Sequence, residues 1–310
     1  MAGPKVSLVA TVKDAGPALE AWLASVRAQT RRPDEVVVVD GGSADGTWER
    51  LERAEGITAI SEPGANIARG RNVAVRAAAH DLVAVTDADC ELAPAWLDRL
   101  LEALEGGAEV AAGAYAPIAR TPWQVAASAH ILDPEEIGPG WMPSSRSLAF
   151  RREAFEAAGG YPEWLPIGED MYLNHRWAEL GLRIEPVPAA LAWWRVRPTL
   201  GATWRQYARY AEGDAAAGMY PERHLIRFGA YVLAALALGG RRRWPKIVVG
   251  VAAGARLWKP AARAGRRARE EGVEPWWAVG LVPPMLALTD LAKMWGYARG
   301  RVRRTRPLAR

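Results

Sequence analysis

An α/β fold built on a doubly wound sheet is the architecture this sequence predicts, and three observations predict it. Short apolar runs, the purest of them β-branched, occur at Val6–Val12, Val36–Val39 and Leu82–Val85. Segments with helical spacing of apolar residues lie between them, the clearest being Leu19, Trp22, Leu23 and Val26 at i, i+3, i+4 and i+7. Acidic turns close two of the runs, at Asp40 and at Asp87–Asp89. In open α/β sheets ligands bind beyond the carboxyl ends of strands, so these turns stand where a site belongs.

In chain order, Val6–Val12 reads as a first buried strand, and Pro33-Asp34 breaks the helix that follows it. Val36–Val39 is continuous rather than alternating, as in a central strand covered on both faces. Asp40-Gly41-Gly42-Ser43 is a turn, with a helix expected near Asp45. Ile57–Ile60 is a weaker strand and residues 67–79 are an Ala-rich helix. Pro94 is expected to open a helix carrying Leu97, Leu100, Leu101 and Leu104 on one face. Beyond residue 105 the pattern loosens. Strands are expected at Val110–Tyr115 and Ser147–Phe150, and helices at Trp123–Leu132, Arg152–Ala158, Asp170–Leu180 and from Thr203 onward. The Arg/Gly-rich stretch 261–272 is the best linker candidate.

Composition bounds the classes. Half of the 310 residues are hydrophobic, enough for a substantial core. The single cysteine, Cys90, excludes an intrachain disulfide, and the four histidines have no metal-ligand spacing. These features fit a cytoplasmic protein, and a strand by Val6 leaves no room for a signal peptide. Residues 1–222 hold 21 Lys+Arg against 31 Asp+Glu, whereas residues 223–310 hold 19 against 4. That asymmetry divides the chain into two parts with different partners, residues 1–222 and a basic, apolar helical region over 223–310. The basic part suits an anionic surface, but no basic-aromatic interleaving points to nucleic acid.

Five clusters carry chemistry. Asp87 and Asp89, two residues apart at a strand end, offer hard oxygen ligands for Mg²⁺ or Mn²⁺; read as extended backbone, they point to one side. On spacing alone a solvated loop with two acids is the more common case. Asp40-Gly41 begins a loop where glycines admit close approach of a ligand, and the aspartate can bond a base or ribose; an ordinary strand-to-helix turn capped by Asp45 has the same pattern. Glu169-Asp170 precedes a helix, where a carboxylate can be a general base or merely a cap. Arg69, Arg71 and Asn72 open a helix that suits phosphate or a solvated face. On a later helix, Gln206 and Arg209 can approach a diphosphate, or stand in water as the charged face of an amphipathic helix.

In this order the chain resembles the family-2 glycosyltransferases over about residues 5–215. The matching residues are Val6-Ser-Leu-Val, Gln29-Thr30, Pro33-Asp34-Glu35, Val39-Asp40-Gly-Gly-Ser-Ala-Asp-Gly-Thr47, Ala68-Arg69, Asn72, Asp87-Ala-Asp89, Phe150-Arg151-Arg152, Gly159-Gly160-Tyr161 and Glu169-Asp170. The resemblance implies the GT-A fold, a Rossmann-like mixed sheet, and inverting transfer from a UDP-, GDP- or dTDP-sugar. It implies Asp40, Gly41, Asp87, Arg69 and Asn72 as nucleotide contacts, and Asp89 with Asp87 at the metal, Asp89 favoured. It implies Asp170 as catalytic base, with Glu169, Gln206 and Arg209 toward diphosphate and acceptor. Gln206, Arg209 and Tyr210 resemble the family's Gln-x-x-Arg-Trp element, with Tyr in place of Trp, which favours single-sugar transfer over polymerisation. The competing readings are a sugar-phosphate nucleotidyltransferase, disfavoured because Thr11–Gly16 is not the Gly-rich loop such enzymes carry, and an inactive nucleotide-binding scaffold.

Three apolar stretches, Phe228–Leu238, Ile247–Trp258 and Trp276–Thr289, fall short of the roughly 18–20 residues a span needs. Basic clusters at Arg241–Arg243, Arg263–Arg269 and Arg301–Arg306 flank them on both sides, which the positive-inside rule disfavours for a hairpin of spans. The expectation is therefore interfacial docking on an anionic membrane at its cytoplasmic face, with the acceptor's free hydroxyl on a molecule that can be lipid-linked.

Overall fold

The computed structural model describes residues 3–303. In chain order the elements are β1 (Val6–Val12), α1 (Ala18–Arg27), β2 (Glu35–Asp40), α2 (Thr47–Arg53), β3 (Thr58–Ser61), α3 (Ile67–Ala77), β4 (Leu82–Asp87), β5 (Cys90–Leu92), α4 (Trp96–Glu105) and β6 (Val110–Ile118). They continue with α5 (Pro122–Ser128), β7 (Leu148–Arg151), α6 (Arg152–Ala157), α7 (Glu169–Glu179), β8 (Ile184–Arg195), α8 (Leu200–Ala217), α9 (Pro221–Gly239), α10 (Arg243–Glu270) and α11 (Pro275–Arg303). Two compact units result, one of residues 1–116 and 132–195, the other of residues 117–131 and 196–310.

The first unit is a mixed α/β sheet of eight strands in the order β3-β2-β1-β4-β7-β6-β8-β5. The strands β3, β2, β1 and β4 pair in parallel, and β7 joins β4 and β6 antiparallel. Val36–Val39 are at most 7% exposed, as a continuous β-branched run requires of a central strand. One face of the sheet packs Val9, Val37, Val85, Leu148 and Phe150 against α3, α6 and α7, with Phe150 stacked on Phe155. The expected helix of Leu97, Leu100, Leu101 and Leu104 is present and buries those residues, although it starts at Trp96 rather than at Pro94.

Several details differ from the sequence reading. The helix placed near Asp45 starts at Thr47, with Gly46 as its cap; Asp45 accepts the Thr47 N–H at 3.1 Å and the Gly16 N–H at 2.9 Å. Strand β8 was not expected, because Pro186 and Pro188 mask it. Asp87 ends β4, but Ala88 and Asp89 form a turn into β5, so the pair does not share one extended strand. Strand β5 exists because its residues pair with Ala192–Trp194 of β8.

The second unit is helical, and glycines set its closest packing. A Cβ at Gly296 or Gly300 of α11 would overlap the backbone of Ala208 or Glu212 on α8, so the two helices approach as only glycine permits. Asp290 of α11 is buried and accepts from Arg227 at 3.0 Å, Tyr231 at 3.2 Å and Arg256 at 2.6 Å. The linker expected at 261–272 is instead the last turns of α10 and the residues after it. Arg263 and Arg267 there are buried, and Arg267 donates to the carbonyls of Ser128 at 2.6 Å and Ile131 at 2.9 Å. These carbonyls lie at the end of α5 and just beyond it, so the arginines are capping groups and not a solvated tether. Among the described residues no helix is long and apolar enough to cross a membrane. Part of the basic cluster 301–306, from residue 304, lies outside the described residues.

Candidate active site

The carboxyl ends of the parallel strands, with their loops, carry the site. Asp40 ends β2 and is 2% exposed. Its carboxylate accepts from the N–H groups of Gly42 at 3.1 Å and Ser43 at 2.9 Å and from the Ser43 hydroxyl. Gly41 donates its N–H to Val12 O at 2.9 Å, closing the loop on the end of β1. Asp14 Oδ1 accepts from Ala44 N and Ser43 Oγ accepts from Asp14 N, each at 2.8 Å, so the loops after β1 and β2 form one stitched rim.

Helix α3 begins at Asn66, whose Oδ1 accepts the Arg69 N–H at 2.8 Å. The Arg69 side chain is exposed and pairs with Glu62 at 3.1 Å. Asn72 is buried and clamps the loop before α7: it donates to Tyr161 O at 2.8 Å and Glu163 Oε1 at 2.9 Å, and accepts from Tyr161 N at 2.9 Å. Arg71, which the sequence reading weighed only as part of a phosphate-suited helix start, is the centre of the arrangement. Its guanidinium is fully enclosed and bridges Asp87 Oδ1 and Glu169 Oε1, each at 2.5 Å, with the Tyr161 ring 5.3 Å away. The two carboxylates hold its charge, raising its pKa despite burial. Arg146 was missed altogether. It lies 3.7 Å from Asp87 Oδ2, between the rings of Tyr115 and Trp194 at 5.4 and 5.0 Å.

Gly168, at φ 84°, turns the chain sharply into α7, so Glu169 and Asp170 are its first residues. Asp170 Oδ1 accepts from Met171 N at 2.8 Å in the first turn of α7. Glu169 is buried, and its Oε2 has no hydrogen-bond partner among the described residues. Burial, opposed by Arg71 and aided by Asp170, pushes its pKa up to about 6. Asp89 is half-buried in its turn, with Cys90 Sγ 3.8 Å from its Oδ1. Burial and that neighbour push the Cys90 thiol well up, so it is no nucleophile at neutral pH.

Of the residues expected at a site, the structure joins Asp87 and Glu169 through Arg71, with Asp170 next to Glu169 in the chain. Gln206 and Arg209 lie on α8 of the second unit; Gln206 donates to Tyr210 Oη at 2.8 Å and Arg209 is exposed.

Among the described residues no three His, Cys, Asp or Glu side chains group as a metal cage. Asp87 faces Arg71 and Arg146 at the end of β4, and Asp89 stands two residues on, in the turn into β5. That donor set fits Mg²⁺ or Mn²⁺ arriving on a diphosphate, since such ions are held by one or two carboxylates with phosphate oxygens and water.

Residues 7–158 match the sequence model of Glycosyl transferase family 2. The N-acetylglucosaminyl-diphospho-decaprenol L-rhamnosyltransferase of Mycobacterium tuberculosis is 28% identical, over 59% of this chain and 73% of that protein. The succinoglycan biosynthesis protein ExoA of Rhizobium meliloti is 28% identical, over 58% of this chain and 59% of that protein. Among solved structures, the mannosyltransferase PcManGT from Pyrobaculum calidifontis, in complex with GDP-Man and Mn²⁺, aligns with TM-score 0.55 at 23% identity, covering 97% of this chain and 87% of that one. GalNAc-T7 with UDP, GalNAc and Mn²⁺ aligns with TM-score 0.51 at 18% identity, covering 68% and 47%. The last two likenesses establish the GT-A-like fold.

Proposed function

We propose, for a glycosyltransferase whose residues 7–158 place it in family 2, that one sugar is moved from a nucleotide diphosphate donor to an acceptor hydroxyl with inversion. The observation that carries this reading is the Arg71 bridge, which ties the β4 carboxylate to the acidic pair opening α7. A donor-side and an acceptor-side carboxylate are thereby fixed in one framework. Asp170 accepts the proton as the acceptor oxygen attacks the anomeric carbon and the bond to the diphosphate oxygen breaks. No covalent intermediate is needed. A divalent cation, when bound, offsets charge on the departing diphosphate. Asp89 with Asp87 would hold it, and the solved neighbours' Mn²⁺ supports that assignment. Asp40, Gly41, Arg69 and Asn72 are assigned to the nucleotide side, and Gln206 and Arg209 to diphosphate and acceptor. The donor base and sugar are assigned by class only: UDP-, GDP- or dTDP-linked.

The expected result for Asp89→Ala is loss of transfer together with loss of metal-dependent nucleotide tightening. Calorimetric titration of UDP and GDP, with Mn²⁺ and then with EDTA, reads the second effect without turnover. Equal nucleotide affinity in both media for the wild-type chain would remove the metal from this assignment.

Donor chemistry is assigned to residues 1–222 and membrane association to residues 223–310. Support for the latter is the exposure of Leu225, Leu233, Trp244, Val251, Trp258 and Trp276 on α9, α10 and α11, among the arginines already named. Apolar side chains in water beside basic clusters suit the headgroup region of an anionic leaflet, where each basic residue contributes about 1 kcal/mol. On this reading the enzyme works at the cytoplasmic face, within reach of a lipid-linked acceptor, which the diphospho-decaprenol in the rhamnosyltransferase's name supports. Full-length chain is expected to co-sediment with phosphatidylglycerol vesicles, to release partly at high salt, and to bind weakly after Arg241, Arg242 and Arg243 are changed to Ser. Indifference to anionic vesicles overturns this docking.

A further inference from the structure

Two arginines stand on Asp87, and they differ in reach. Arg71 is enclosed, with 2% of its side chain exposed, whereas Arg146 keeps 17% exposed. Sheet register brings Arg146 to this place. In the ladder of β4 with β7, Val83 faces Phe150 and Val85 faces Leu148. One more step of two residues along each chain sets Asp87 opposite Arg146, on the same face. Tyr115 of β6 and Trp194 of β8 then flank the guanidinium with their rings, at 5.4 and 5.0 Å. A cation covered by rings in this way meets other molecules through its edge, where the N–H groups lie. One of these donates to Ser144 Oγ at 2.9 Å. Nε stands 3.7 Å from Asp87 Oδ2, beyond hydrogen-bond reach, while Arg71 holds the other oxygen at 2.5 Å. Arg71 therefore orients Asp87, and Arg146 serves some other group.

We propose that Arg146 binds the β-phosphate of the nucleotide diphosphate donor. The assignment rests on the transferase reading and deepens it. Strand order supplies the direction. Asp40, assigned to the nucleotide side, ends β2, and β1, β4 and β7 follow in the sheet. Three strand spacings, about 14 Å, separate Asp40 from the line of β7 on which Arg146 stands. A nucleotide laid along this edge from Asp40 has its base and ribose over β2 and β1, and its phosphates over β4 and β7. The phosphate farther from the base is the one that reaches Arg146. A guanidinium edge matches two phosphate oxygens at once. When the bond from the anomeric carbon to the β-phosphate oxygen breaks, its electron pair stays on that oxygen, and a fixed cation beside it lowers the barrier.

The test is calorimetric titration of the full-length chain with UDP, GDP and dTDP and with UMP, GMP and dTMP, each in Mn²⁺ and in EDTA. For the base that binds, Arg146→Gln should weaken the diphosphate about tenfold or more in both media, as loss of a charged hydrogen bond does. The matching monophosphate should bind as it does to the wild type, which also shows that the variant's site is folded. Arg146→Lys keeps the charge but not the fork, and should recover part of the diphosphate affinity. A residue that only shaped the pocket would weaken both nucleotides alike, so an equal loss, or no loss, overturns the assignment. Farnesyl phosphate stands in for a lipid-linked acceptor and should bind both chains equally. A loss confined to farnesyl phosphate would give Arg146 to the acceptor and overturn the donor assignment. Failure of the wild type to bind any of the six nucleotides, or to consume any nucleotide sugar, would instead remove the transferase reading, and the role of Arg146 with it.

Discussion

Asp170→Asn is expected to lose about 10²–10⁴ in turnover, the usual effect of removing a general base, while binding donor as the wild type does. The substitution keeps size and shape. The carboxylate's one described bond is local, from Met171 N–H, and an amide oxygen can accept it too. What disappears is the proton acceptor at the head of α7. Single-turnover rates with saturating donor measure the loss, and nucleotide titration shows the donor side unharmed. The anomeric configuration of the product, read by NMR on the wild type, checks the geometry. Attack assisted by a base, with no enzyme nucleophile, inverts it, so a retained configuration would overturn the role given to Asp170.

Arg71→Met has the second largest expected effect, and it reaches stability as well as rate. The guanidinium is buried with two carboxylates on it, and breaking a buried charge pair by removing one partner typically costs about 3–5 kcal/mol. Glu169 already titrates at about 6, above its ordinary 4.5, because burial outweighs Arg71. An acid whose folded pKa is raised binds protons more readily when folded. Its contribution to stability therefore falls as pH rises from about 4.5 through 6 and is flat above. Without Arg71 the pKa moves higher and that window widens. The stability deficit of Arg71→Met should accordingly be smaller at pH 5 than at pH 8, as read by urea unfolding at each pH. The acid limb of its pH–rate profile should shift upward. Arg71→Lys keeps a charge but not the two-pronged fork, so it should recover part of the stability and little of the rate. A deficit independent of pH would show that Arg71 only fills space.

The parallel half of the sheet was legible because its strands are continuous apolar runs between helices of clear period. The antiparallel half was not: β8 carries two prolines, and β5 is three residues long and exists only by pairing with β8. Strand ends placed Asp40 and Asp87, and the start of a helix placed Glu169 and Asp170, where the structure also has them. The buried cation that bridges two of them, Arg71, was not singled out. Ala68, Arg71, Asn72 and Val75 are all buried and stand at i, i+3, i+4 and i+7, so the helical period itself puts Arg71 on the inner face and Arg69 off it. That signal was present and unused. Arg146 had none, because its loop has no period and its neighbours Tyr115, Trp194 and Asp87 come from three distant segments. The stretch 261–272 was misread because arginine-rich composition resembles a solvated tether until the carbonyls that absorb the charge are known.

Those carbonyls also order events in time. Residues 117–131 leave the first unit's chain run and belong to the second, whose other part begins at 196. The carbonyls of Ser128 and Ile131 await a donor that emerges from the ribosome more than 130 residues later, in Arg267. The sheet's strands are all synthesised by residue 195, whereas the bonds from Arg267 to these carbonyls must wait for α10. A nascent chain stalled before residue 263 would hold the Ser128 carbonyl by the Ile131 N–H alone, without the arginine. The polypeptide is thus fastened from its distal end backward, and the enzyme's completion is a late step of its own translation.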